Sequence, residues 1–155
     1  MISLTKKIGN YEFKQENESL SVYKTFRGLH IQTNKLQGKL IRVVEGEIFD
    51  ICLDCRCNSK TFGKNYTIKL NSKKNNILWI PPGYAHGFLV LSKLAKIIYK
   101  CTEYYSKKDQ VTINVNDKML NIKLPLSSKE KLIMSKKDNY GLSFNDFSNK
   151  YKILK

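Results

Sequence analysis

"LIRVVEGEIFDICLD", residues 40–54, sets two short apolar runs on either side of a single glycine. Apolar residues recur along both runs, and Gly46 is the one position without a Cβ, so the stretch reads as two strands joined by a tight hairpin turn. Similar runs follow with turn signals between them: "YTIKLN", "NILWIPPG", "HGFLVLS", "AKIIYKCTEYY" and "TINVN". Short strands at this spacing predict an all-β sandwich or barrel. "GFLVL", residues 87–91, is apolar on both faces, the pattern of an inner strand covered on two sides. A short helix capped by Ser128 is expected over "SSKEKLI". In the tail, residues 140–155, Phe144, Phe147 and Tyr151 recur at helical spacing and predict a segment packed onto the body.

The chain has 155 residues, 41% hydrophobic and 26% charged, with three prolines and eight glycines. That composition suits one core, with residues 1–155 forming a single domain. Twenty-eight basic against 13 acidic residues leave a net charge of +15, which attracts anions. The surplus is lysine. Arg27, Arg42 and Arg56 are the only arginines, whereas sequence-specific nucleic-acid readers rely on arginine forks. A phosphate-bearing small molecule is therefore the expected partner, not nucleic acid, and most of the lysines simply solvate the surface.

The start, "MISLTKKIGNYEF", lacks a secretion signal, and no window approaches the ~20 apolar residues of a membrane span. The expectation is a cytoplasmic protein that does not enter a membrane, with its four cysteines reduced. Strand alternation in "EIFDICLDCRC" points Cys52 to one face and Cys55 and Cys57 to the other, and the chain carries no matching second pair. A zinc site is not expected there.

Alternation also assigns the polar residues. In "AKIIYKC", Ala95, Ile97, Tyr99 and Cys101 share a face opposite Lys96, Ile98 and Lys100, which directs Tyr99 inward. In "FRGLHIQ", His30 and Gln32 lie together, opposite Leu29 and Ile31. A dry core demands a partner for each, so the pair predicts a lined cavity. Taken singly, a buried histidine or tyrosine more often fills a core than catalyses. Their arrangement on one β scaffold raises the functional reading above the packing one.

"FRGLHIQ", "QGKLIRVVEGEIFDICLD", "SKTFGK", "LWIPPGYAHGFLVLS", "YKCTEYY" and "NVNDKMLNI" together, over residues 13–140, resemble in order and spacing the dTDP-4-dehydrorhamnose 3,5-epimerase family. The resemblance implies a cupin jelly roll with short C-terminal helical segments, usually a homodimer. It also implies inversion of the carbons flanking the C4 ketone of a nucleotide-linked 4-keto-6-deoxy sugar, a step in deoxysugar and surface-polysaccharide biosynthesis. Metal-binding cupins use histidines and a glutamate; here Gln32 replaces the second histidine and Lys39 the glutamate, so no metal and no cofactor are expected.

By motif position the resemblance implies His30 as the base, Asp138 as its carboxylate partner, Lys39 as the cation beside the developing O4 oxyanion, and Tyr99 as the acid on the opposite face. Arg27, Gln15, Asn17, His86 and Lys137 match substrate-contacting positions, Arg27 being suited to phosphate. The first match falls near "FKQENES", so the N-terminal arm that contacts the nucleotide in relatives is expected to be shortened. Choice among dTDP, GDP and UDP, among carbons C3 and C5, and between hexose and heptose stays open. Two other readings share the fold: a ketoisomerase moving the carbonyl from C4 to C3, and a cupin that binds sugar nucleotides without turnover.

Overall fold

The computed structural model describes residues 8–127 and 130–153. Among the described residues, nine strands form two antiparallel sheets. One sheet, in the order β1-β8-β3-β6, contains β1 (Gln15–Val22), β8 (Leu94–Cys101), β3 (Lys39–Glu45) and β6 (Ile77–Ile80). The other, in the order β5-β4-β7-β2-β9, contains β5 (Asn65–Asn71), β4 (Glu47–Asp54), β7 (Tyr84–Val90), β2 (Phe26–Gln32) and β9 (Gln110–Thr112). The chain is an all-β jelly roll of the cupin type: its alternating runs predict the β sandwich, and the family resemblance implies the cupin form.

Gly46 does not make a hairpin. The strands that it joins lie in different sheets: β3 pairs with β8 and β6, whereas β4 pairs with β5 and β7. Gly46 is therefore a corner between layers. It takes φ +77°, and a Cβ there would stand 2.1 Å from the Leu94 carbonyl oxygen, a contact that only glycine avoids. Sequence pattern alone is blind to the difference, because a corner and a hairpin both want a glycine between two alternating runs.

Two apolar clusters flank the five-stranded sheet. Ile41, Val43, Ile48, Leu70, Phe88, Val90 and Ile97 fill the space between the sheets. The outer face carries Phe26, Leu29, Ile51, Leu53, Ala85 and Leu89 and is covered by residues after β9, among them Leu120, Phe144, Phe147 and Ile153. This double cover explains why "GFLVL" is apolar on both faces. It also separates the cysteines: Cys52 faces the inner cluster, Cys55 the outer one, and Cys57 is exposed.

The covering segment is pinned by parallel bridges, Thr25 to Ile133, Ile113 to Leu142 and Arg56 to Ile153. It contains α1 (Lys136–Asn139) and α2 (Phe144–Lys150), each started by a Ser-x-x-Asp box in which the serine hydroxyl accepts from the aspartate N–H. The α2 helix bears out the spacing of Phe144 and Phe147. The helix predicted over "SSKEKLI" does not form in its described part: residues 130–132 are irregular and Ile133 bridges to Thr25. Ser128, its predicted cap, lies outside the described residues. No described helix is long and apolar enough to cross a membrane.

Candidate functional site

A cavity of about 380 Å³ opens between the two sheets, with an adjoining lobe of about 290 Å³. His30, Lys39 and Tyr99 line both spaces. The five-stranded sheet supplies His30 from β2 and His86 from β7, which are register partners. The facing sheet supplies Lys39 from β3 and Tyr99 from β8, where Tyr99 pairs with Ile41 two residues along from Lys39. Tyr99 thus points inward, as alternation predicts.

His30 is held by Asp138. Nε2 of the imidazole and Oδ1 of the carboxylate lie 2.5 Å apart, and Oδ2 accepts from the Ser135 hydroxyl at 2.8 Å. The Ser-x-x-Asp box that starts α1 therefore also aims the carboxylate: Ser135 caps the helix and fixes the side chain in one motif. Burial alone would raise the Asp138 carboxyl; hydrogen bonds from His30, Ser135 and the Gly28 backbone prevail and hold it below its ordinary value. Burial lowers the His30 imidazole, Asp138 opposes that shift, and Lys39 and Lys137 add to it. A neutral ring at neutral pH is the outcome, which is the form a base requires.

Lys39 has no carboxylate within 4 Å among the described residues. Burial pushes its ammonium below the ordinary lysine value, against the pull of Cys101 and Asp50. The Tyr99 phenol is raised, chiefly by burial, and stays protonated at neutral pH. A lysine with no carboxylate partner among the described residues, beside a neutral imidazole and a protonated phenol, is a constellation for acid and base catalysis around a developing anion.

Arg27 reaches the rim, its Nε donating to the Ser21 hydroxyl at 3.0 Å. Gln15 and Asn17, on β1, line the lobe with Tyr105 and are linked to each other by a 2.7 Å hydrogen bond. Lys137 stands apart from the cavity lining, donating to Gln110 Oε1 at 2.6 Å; Gln110 in turn lines the lobe.

Gln32 departs from expectation. It shares a strand with His30, but its amide is consumed by backbone, donating to the Lys35 and Tyr104 carbonyls and accepting from the Ser106 N–H at 2.6 Å. It secures the loop after β8 and is not a cavity residue. The inference of a cavity from two polar residues on one face was right for His30 alone.

Asp50 was missed by sequence reasoning. It is 0% exposed, and its Oδ2 lies 2.8 Å from His86 Nε2. The signal was present: a carboxylate between Ile48 and Cys52 on the inward face of an otherwise apolar strand demands a partner. Among the described residues no group of three or more His, Cys, Asp or Glu side chains converges as metal ligands would. The buried Asp54 is spent on structure, taking Arg56 at 2.7 and 2.9 Å together with the Ser59 and Thr61 hydroxyls.

A family profile described as dTDP-4-dehydrorhamnose 3,5-epimerase matches residues 3–146. Proteins of that name from Methanothermobacter thermautotrophicus and Neisseria gonorrhoeae are 45% and 44% identical to the chain over 81% and 86% of its length. The matched part spans 68% of the former protein and 40% of the latter. The crystal structure of dTDP-6-deoxy-D-glucose-3,5-epimerase from Legionella pneumophila, in complex with dTDP-4-keto-L-rhamnose, superposes with a TM-score of 0.92 at 34% identity, covering 100% of this chain and 82% of that one.

Proposed function

The chain belongs to the dTDP-4-dehydrorhamnose 3,5-epimerase family, and on that premise we propose that it epimerises the carbons flanking the ketone of a dTDP-linked 4-keto-6-deoxy sugar, without metal or cofactor. The observation that carries this reading is the facing of the His30–Asp138 pair and Tyr99 across one cavity with Lys39 beside them. His30 Nδ1 takes the proton from a carbon next to the ketone, the electron pair moves onto O4, and Lys39 stabilises the enolate. Asp138 stabilises the imidazolium that forms. Tyr99 returns a proton to the other face, and the centre is inverted.

Arg27 at the rim takes the diphosphate, with Gln15 and Asn17 in the lobe toward the nucleotide and Lys137 reaching it only through Gln110. The choice of dTDP rests on the names and ligand of the relatives. The net charge of +15 suits an anionic substrate. The product feeds deoxysugar assembly for surface polysaccharide, the setting is cytoplasmic, and the working unit is a homodimer. The test is incubation with dTDP-4-keto-6-deoxy-D-glucose in heavy water: deuterium enters at C3, C5 or both, with a change of configuration. No uptake at either carbon defeats the proposal. Borodeuteride reduction placing the carbonyl at C3 would mark a ketoisomerase.

A further inference from the structure

Residues 55–102 contain nine lysine or arginine side chains and not one aspartate or glutamate. Five of the lysines gather along one edge of the molecule: Lys60 and Lys64 in the loop before β5, Lys69 on the strand, and Lys73 and Lys74 in the turn after it. We propose that this edge docks the protein peripherally on the surface of an anionic lipid bilayer.

β5 ends the five-stranded sheet, and among the described residues it pairs with β4 alone. Its seven residues span about 23 Å, so loop, strand and turn carry charge along the whole edge. All five lysines are exposed, and none has a carboxylate within 4 Å among the described residues. The neighbouring strand offers little to neutralise them. Its Asp50 and Asp54 are 0% exposed, and Glu47 stands opposite Asn71, whose amide donates to it at 3.5 Å. A charge on an edge strand guards it against stray pairing, and Lys69 alone meets that need. Lysines that merely solvate a surface are interspersed with acids; the other four are not.

The side chains also indicate which polyanion fits. An anionic bilayer attracts ammonium groups through its surface potential, without bidentate geometry, and clusters of about four to eight basic residues suit it. Arg56, in the same loop, is spent on Asp54. Tyr66 and Ile68, on β5 itself, are 49% and 43% exposed, and both faces of an edge strand are reached from its open side. The bilayer interface takes an aliphatic chain below the headgroups and a tyrosine ring at their level. A single-stranded nucleic acid would stack on the tyrosine but has no use for the isoleucine.

Docking here covers none of the catalytic side chains. β5 and β9 are opposite edges of their sheet, and no residue lining the cavity or its lobe lies on β5 or in its flanking loops.

The experiment is co-sedimentation of the full chain with vesicles of pure phosphatidylcholine and of equal parts phosphatidylcholine and phosphatidylglycerol. The protein partitions onto the anionic vesicles only, and less as added salt shortens the screening length. Lys69→Gln, Lys73→Gln and Lys74→Gln together weaken partitioning by about 10²-fold, at about fivefold for each lysine. Lys107→Gln, Lys108→Gln and Lys131→Gln, an equal loss of charge from exposed positions away from β5, together change it by less than about threefold. Ile68→Ser weakens it by about three- to tenfold, the share of an isoleucine that leaves water on docking. Equal losses in the two triple variants overturn the inference in favour of diffuse net charge. Equal partitioning onto neutral vesicles overturns it too, as does none onto either kind. So does an Ile68→Ser variant that partitions like wild type while the protein binds a single-stranded DNA oligonucleotide more tightly at the same salt, which marks a nucleic-acid surface. Solvent deuterium exchange into the sugar by the β5 triple variant, without vesicles, stays at the wild-type rate, so this inference and the epimerase reading fail separately.

Discussion

Asp138→Asn removes one charge from behind the base and leaves the shape nearly intact. Asp138 is 4% exposed, and its Oδ1 sits 2.5 Å from His30 Nε2. A hydrogen bond to a charged partner is worth about 1.5–3 kcal/mol, and each 1.36 kcal/mol is tenfold in rate, so loss of imidazolium stabilisation alone slows proton abstraction by about 10- to 150-fold. The carboxamide adds a second effect. Ser135 donates to Oδ2, so the amide oxygen is drawn there and the NH₂ turns toward Nε2. That donor forces the ring proton onto Nδ1 and blocks the base, extending the loss toward the ~10⁴-fold limit for a general base. Because the carboxylate raises the His30 pKa against burial, its removal lowers that pKa further. Abstraction requires the neutral ring, so the acid limb of the profile moves to lower pH while the plateau falls. The assay is the initial rate of solvent deuterium incorporation across pH, with thermal melting as the control; the melting midpoint falls by about 3–12 °C, since 1 kcal/mol corresponds to roughly 2–4 °C at this size. A plateau within threefold of wild type, or an acid limb displaced upward, refutes the assigned role.

Tyr99→Phe separates exchange from inversion: His30 still removes and returns a proton on its own face, so substrate recovered from heavy water carries deuterium with its configuration unchanged while epimer formation drops by about 10²- to 10⁴-fold. Parallel loss of both by NMR would contradict the two-wall arrangement. Lys39→Met slows turnover by about 10²- to 10³-fold, the scale of a lost oxyanion donor, yet the melting midpoint does not fall, because an apolar chain relieves the burial that depresses the lysine pKa; a fall in midpoint speaks against a lysine without a carboxylate partner. Asp54→Ala leaves the Arg56 guanidinium, only 14% exposed, without its carboxylate, at a cost of about 3–5 kcal/mol and hence roughly 6–20 °C in calorimetry. Burial would raise the Asp54 carboxyl, but Arg56, Thr61 and Ser59 hold it far below the usual range. Its stabilisation is present at neutral pH and disappears only as the pH falls through that depressed value, so the variant shows a smaller loss of stability in strong acid than wild type does.

The strands were legible because alternation is a local property. "AKIIYKC" shows by parity alone that Tyr99 faces inward with Ile97, and "GFLVL" shows that something covers both sides of β7. Partnership is not local. Nothing near Gly46 states that β3 and β4 belong to different layers, since the steric demand that decides it comes from Leu94 and Ser92. Gln32 and His30 look alike in sequence, and only distant contacts separate them: the Lys35 and Tyr104 carbonyls take the Gln32 amide, whereas Asp138 holds His30 at the cavity wall. His30 and Asp138 are 108 residues apart; motif resemblance could pair them, whereas composition and periodicity had no means to. Asp50 was the avoidable omission, because a charge at an inward strand position is visible without coordinates.

The carboxylate behind His30 arrives on the segment that seals the outer face of the five-stranded sheet, docked through Ile133, Leu142 and Ile153. Both sheets are complete in the chain well before that segment has been synthesised, yet until it settles the imidazole has no partner at Nε2. The base thus depends on that segment: a nascent chain that stops after β9 carries every strand of both sheets but an imidazole without its carboxylate. Appearance of turnover in a synchronised translation reaction would report closure of this flap.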